Sequence, residues 1–71
     1  SEITITFGLK EAANTNVSIM NTVGQVIATQ NAGNVTTGKV TFSTANLANG
    51  LYFYTVEANG ERTTNRFVVA H

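Results

Sequence analysis

The chain contains no cysteine, which excludes disulfides, thiol catalysis and thiolate metal sites together. Charge is scarce as well. Only 11% of the residues are Asp, Glu, Lys or Arg, against about a quarter in an ordinary globular domain. The cations Lys10, Lys39, Arg62 and Arg66 are scattered and the formal net charge is zero, so no basic stripe follows a phosphate backbone and nucleic acid is not a partner. The only carboxylates are Glu2, Glu11, Glu57 and Glu61. Glu57 and Glu61 flank a predicted turn and read as solvated residues, not as the cleft-held pair that acid–base catalysis requires. His71 is the sole imidazole; it stands at the terminus without convergent ligands, so no metal site is expected. No serine has a histidine in a triad arrangement. These absences predict a chain that is not an enzyme and uses no cofactor or metal. No apolar run approaches the ~20 residues of a membrane-spanning helix. Nothing at the N-terminus reads as a signal peptide, and no segment sustains a helical period.

What is present is a moderate 42% of hydrophobic residues, together with Asn and Thr at roughly 30% of the chain. That mixture favours strands and turns over helices. Seventy-one residues leave room for one domain, spanning 1–71, with one small core. Asn16-Val17-Ser18 and Asn34-Val35-Thr36 match the N-glycosylation pattern, but a chain this rich in Asn and Thr produces such matches by chance.

Leu51 to Ala58 is the clearest strand, with Leu, Tyr, Phe, Tyr, Thr and Val suited to a pleated, half-buried surface. Its period of two sets Tyr52, Tyr54 and Val56 on one face and Leu51, Phe53 and Thr55 on the other. Asn59-Gly60 supplies the two positive-φ residues of a type I′ hairpin turn, and a strand returns from about Arg62 to Ala70. Upstream, Ile3, Ile5, Phe7 and Leu9 alternate with Thr4, Thr6 and Gly8, which is a strand with one buried face. Lys10 to Thr15 is polar and predicts a turn. The next strand, Asn16 to Asn21, turns Val17 and Ile19 one way and Ser18 and Met20 the other. Gly24 holds a positive φ in a tight connection, and Gln25 to Gln30 returns with Ile27 inward. Asn31 to Thr37 reads as a loop, and Gly38 to Ser43 as a strand with Val40 and Phe42 inward. Thr44 to Asn49 is too short for more than one helical turn around Ala45–Leu47, with Leu47 a plug beneath the Asn49-Gly50 break. Six strands are thus readable, at about 2–9, 16–21, 25–30, 38–43, 51–58 and 62–70. Their spacing predicts a small antiparallel β-sandwich, its core containing Ile5, Ile19, Phe42, Tyr52 and Val69.

Two pairs in this strand carry rival readings. Tyr52 and Tyr54 are either core residues with hydroxyls at the rim or a platform for a sugar, and their alternation favours the core. With Tyr52 inward, Leu51 and Phe53 face outward, as a second sheet contact or as a docking patch.

The order of motifs resembles a family. Gly50-Leu51-Tyr52 opens a strand, an Asn-Gly turn follows, then Arg66 and a terminal apolar run, Phe67-Val68-Val69. ITITFGLKEAANTNVSIMNTVGQVIAT is similar to the family's opening strand, polar turn and strand–turn–strand unit around Gly24-Gln25. These features resemble the C-terminal sorting domain of the type IX secretion system. The resemblance covers nearly the whole chain. It implies an immunoglobulin-like sandwich of six to seven strands at the end of a longer secreted precursor. It also implies a non-catalytic signal, read by the type IX translocon for export through the periplasm and across the outer membrane. A surface sortase then attaches the cargo at the cell surface. Gly50, Tyr52, Arg66, Phe67, Val68 and Val69 are the recognition residues it suggests. The chain departs from the family in three places. No Pro-Asn-Pro segment precedes the first strand, His71 stands where Lys or Arg is common, and Thr63 to Asn65 lacks the additional basic residue often found there. The alternative is a structural or carbohydrate-binding β-sandwich module of an extracellular enzyme.

Overall fold

The computed structural model describes residues 2–70, so His71 lies outside the described residues. It is all-β. Four antiparallel strands form one sheet in the order β2-β1-β3-β4, with β1 at Glu2–Met20, β2 at Val26–Ser43, β3 at Gly50–Ala58 and β4 at Glu61–Val69. The count of six or seven strands is therefore corrected to four. The polar turn expected at Lys10 to Thr15 and the loop expected at Asn31 to Thr37 do not break the strands. They are absorbed as irregularities in the β1–β2 ladder, where Gly8 opposes Thr37 and the next pair is Ala13 with Val35. Extra residues on one strand bend it and leave its neighbours in the sheet.

The bend decides where the core sits. A straight strand of 19 residues would span about 60 Å at ~3.3 Å per residue, yet the longest dimension of the molecule is 36 Å. The two halves of the β1–β2 ribbon therefore contribute to one core. Ile5, Val40 and Phe42 from one half join Val17 and Ile19 from the other, with Tyr52 and Val69 from the second hairpin. All five residues predicted for the core are buried. Ala13 and Thr15, assigned from sequence to the polar turn, are buried too, and the Thr15 hydroxyl donates to the Ala13 carbonyl at 3.0 Å. That internal partner lets a hydroxyl sit in the core without loss.

Asparagine side chains hold the irregular places. Asn31 donates to the Oδ1 atoms of Asn14 and Asn16, at 3.0 and 2.8 Å, and accepts from the Gly33 amide at 2.9 Å. The bulge between Thr15 and Asn16 is thus bridged from β2. At the β1–β2 tip, Asn21 Oδ1 accepts from the amides of Val23 and Gln25. Gly24 takes its expected positive φ of 85°. Ile27 is the second correction: it is 42% exposed. Met20 pairs with Val26 and Ile19 with Ala28, so Ile27 is the extra residue of a bulge, and Ala28 packs on the core in its place.

The second hairpin follows its sequence closely. Asn59 and Gly60 have φ of 54° and 76°, the double positive φ that a type I′ turn requires. The connection before it contains one turn, closed by Leu47 N–H donating to the Thr44 carbonyl at 3.0 Å. Leu47 is half-buried against the core, as a plug. Tyr52 donates its hydroxyl to the Ala48 carbonyl at 2.8 Å, which ties this connection to the strand that follows.

Candidate recognition surface

The six residues singled out from the sequence come together on the β3–β4 hairpin, and the sheet then divides them. Gly50 pairs with Val69, Leu51 with Val68, Tyr52 with Phe67 and Phe53 with Arg66. Directly opposed residues share a face, so Tyr52, Phe67 and Val69 point to the core while Arg66 and Val68 point away. The inward group is a packed cluster. Tyr52 stacks on Phe67 with ring centroids 5.8 Å apart, and Tyr54 meets the same ring at 6.3 Å. Tyr52 is buried in this stack, whereas Tyr54 stays half-exposed, so the two rings are not a shared exposed platform.

The outward face is a different material. Val68 is 70% exposed and Leu51 39% exposed, and Phe53 is half-buried beside them. No second sheet covers this face among the described residues, so the second-contact reading of Leu51 and Phe53 is corrected. Strand pairing extends the patch sideways. Val26, Met20, Phe53 and Arg66 form one row across all four strands. Met20 and Val26 escaped the sequence reading. The parity of Met20 against Val17 and Ile19 was legible, but its position beside Phe53 depends on β1 pairing with β3, which no local pattern encodes.

Charge on this hairpin is unevenly matched. Glu57 and Arg62 oppose each other across the ladder and form the only ion pair among the described residues, at 3.6 Å and largely exposed. Such a pair contributes little to stability. Arg66, exposed, has no carboxylate within pairing distance among the described residues. Its row-mates are apolar, so this guanidinium is held at the rim of an apolar patch with its donors uncommitted. No group of three or more His, Asp or Glu residues converges for a metal among the described residues. Among the described residues no helix is long and apolar enough to cross a membrane.

Taken together, these features describe a helix-free module whose last hairpin closes the core with one face and presents an apolar and cationic surface with the other. A family model, the secretion system C-terminal sorting domain, matches residues 1–70. The chain belongs to this family, the C-terminal sorting signals of type IX secretion. Searches of curated proteins and of solved structures each return no match.

Proposed function

We propose that this chain is a non-catalytic sorting signal, recognised as a folded unit by the type IX translocon through the outward face of its last hairpin. In this reading the bent sheet acts as a small immunoglobulin-like sandwich. It rides on the C-terminus of a secreted cargo, and a surface sortase acts on the exported product. Partner contact falls on Arg66, Val68, Leu51 and Phe53, whereas Gly50, Tyr52, Phe67 and Val69 serve recognition indirectly by fixing the strand that carries them. The observation that supports this division is the alternation of β4 itself. Its inward residues Phe67 and Val69 pack on the core, and its outward residues Arg66 and Val68 are exposed, Arg66 with no ion pair among the described residues. Exposed apolar surface beside an uncommitted guanidinium is the composition of a binding hot spot.

The test is export. Residues 1–71 are fused to the C-terminus of an inert reporter carrying an inner-membrane export signal, in cells with a working type IX system. The reporter is expected outside the cell, and a strain lacking the translocon should retain it in the periplasm. If the intact domain leaves the reporter in the periplasm while other sorting domains export it, the reading fails.

A further inference from the structure

The bend in β1 leaves one edge of the molecule unfinished. From Glu2 to Gly8, β1 pairs with β2 on one side, and its pairing with β3 begins only at Thr15. The other edge of this half-strand has no ladder among the described residues. Along it run two adjoining clefts of about 230 and 450 Å³, which share Gly8, Leu9, Ala58, Glu61 and Thr63 and lie between β1 and the β3–β4 hairpin. Consecutive β1 residues, Thr6 to Leu9, form one wall of the smaller cleft, while alternate residues of β3, Tyr54, Val56 and Ala58, form its floor. A wall of consecutive residues is a strand edge, and a floor of alternate residues is a sheet face. Phe7, Tyr54 and Val56 pack on the core there but remain half-exposed. The β3 side of the floor is thus apolar surface that one more strand would cover, bordered on β4 by Glu61, Thr63 and Asn65.

The charges at the two ends add a second constraint. Glu2 stands at one end of the free edge of β1, and Glu11, Glu61 and Lys10 line the cleft at its other end. Three of the four side-chain carboxylates in the chain therefore stand at the two ends of this edge, against one cation. The fourth, Glu57, is occupied by Arg62.

We propose that this groove accepts an extended segment of a partner protein, apolar at alternate positions and basic at its ends, as an added strand on the free edge of β1. A row of unpaired backbone N–H and C=O groups is matched along its length only by another extended backbone. Alternate side chains of that strand would fall on Tyr54 and Val56, and its basic ends on the glutamates. A second copy of this chain fits poorly as occupant, because antiparallel pairing of the same edge would bring the glutamate-bearing ends of the two copies together. The inference stands apart from the sorting reading, which concerns the opposite face of β3–β4.

The test uses the whole chain and three short peptides. One alternates Val and Thr between terminal lysines, the second replaces those lysines by glutamates, and the third keeps the lysines but carries two central prolines. Binding is followed by amide chemical shifts and amide hydrogen exchange. The lysine-ended peptide should saturate, protect amides within residues 2–8, and shift Tyr54 and Val56. It should bind about fivefold tighter than the glutamate-ended peptide, as expected for a few exposed ion pairs, and added salt should narrow that gap. The proline peptide should not bind. The doubly substituted Glu11→Lys/Glu61→Lys chain changes only exposed residues and should reverse the preference between the first two peptides. Absence of saturable binding, equal binding of the proline peptide, or shifts confined to Arg66 and Val68 would each overturn the proposal. So would protection of residues 2–8 that grows with protein concentration without peptide, which would make a second copy the occupant. Export is not read in this experiment, so its failure leaves the reporter assay untouched.

Discussion

The β3–β4 hairpin runs through nine opposed pairs without a slip, whereas the β1–β2 ribbon slips at three places. Both are antiparallel ladders, yet they solve the same problem differently. In β3–β4 every residue keeps its parity, so Tyr52, Phe67 and Val69 pack inward while Leu51, Arg66 and Val68 are left for other uses. Thr55 alone is buried on the outward face, beside Thr64. In β1–β2 each bulge bends the strand, which brings Ile5 and Val17 of the same strand into one core. It also uses polar side chains as internal braces, Asn31 above all. The regular hairpin therefore carries surface chemistry, and the irregular ribbon carries shape.

The sharpest way to break this comparison is to remove an inward residue of the regular hairpin. Tyr52→Ala deletes the ring stacked on Phe67 and the hydroxyl bound to Ala48, and should destabilise by about 3–5 kcal/mol. Phe53→Ala, its neighbour on the outward face, should cost only about 1–2 kcal/mol. Chemical denaturation of the two variants reads the difference directly. A larger loss at Phe53 would mean that the faces are reversed.

The same contrast explains what was legible beforehand. The core residues of β3 and β4 could be read because uninterrupted alternation translates directly into facing. The tip residues Asn59 and Gly60 could be read because few residues tolerate their backbone geometry. Ile27 was misplaced because a bulge shifts parity by one and leaves no mark in the local composition. Ala13 and Thr15 read as turn in the sequence because the stretch from Lys10 to Thr15 is polar. Their burial follows from a bend that depends on distant pairing. Of the recognition surface, Arg66 and Val68 were visible as residues. Their separation from Phe67 and Val69, and the addition of Met20 and Val26, required the sheet.

A second substitution probes the ribbon where its packing is tightest. Phe7 lies opposite Gly38, and a Cβ on Gly38 would sit 2.4 Å from the Cζ atom of its ring. Gly38→Ala must push that ring from its seat and should destabilise by about 1–3 kcal/mol. In a Phe7→Ala background nothing occupies the space, so the added penalty of Gly38→Ala should vanish, a coupling that a double-mutant cycle measures. Smaller still is Asn31→Ala. It removes the bridge to Asn14 and Asn16 and the bond to the Gly33 amide. Because these bonds are exposed, the loss should be about 0.5–1 kcal/mol. Amide exchange should quicken around residues 13–17 and 30–35 while β3–β4 is unchanged. Equal quickening in both ladders would mean that the ribbon is not braced independently.

The smallest effect on stability should accompany the largest effect on function. Arg66 is exposed, forms no ion pair among the described residues, and opposes Phe53 on the outward face. Arg66→Ala should therefore move the unfolding free energy by no more than about 0.5 kcal/mol. Val68→Thr keeps the β-branch at a 70% exposed position and should be similarly silent in a melt. If the outward face is what the translocon reads, both variants should fold normally and export the reporter poorly, Arg66→Ala more so because guanidinium contacts are directional. Deleting residues 66–71 cannot make this distinction, since it also strips Phe67 and Val69 from the core. The informative result is thus a folded domain that stays in the periplasm. Normal export by both point variants would remove Arg66 and Val68 from the recognition surface and return that role to the fold as a whole.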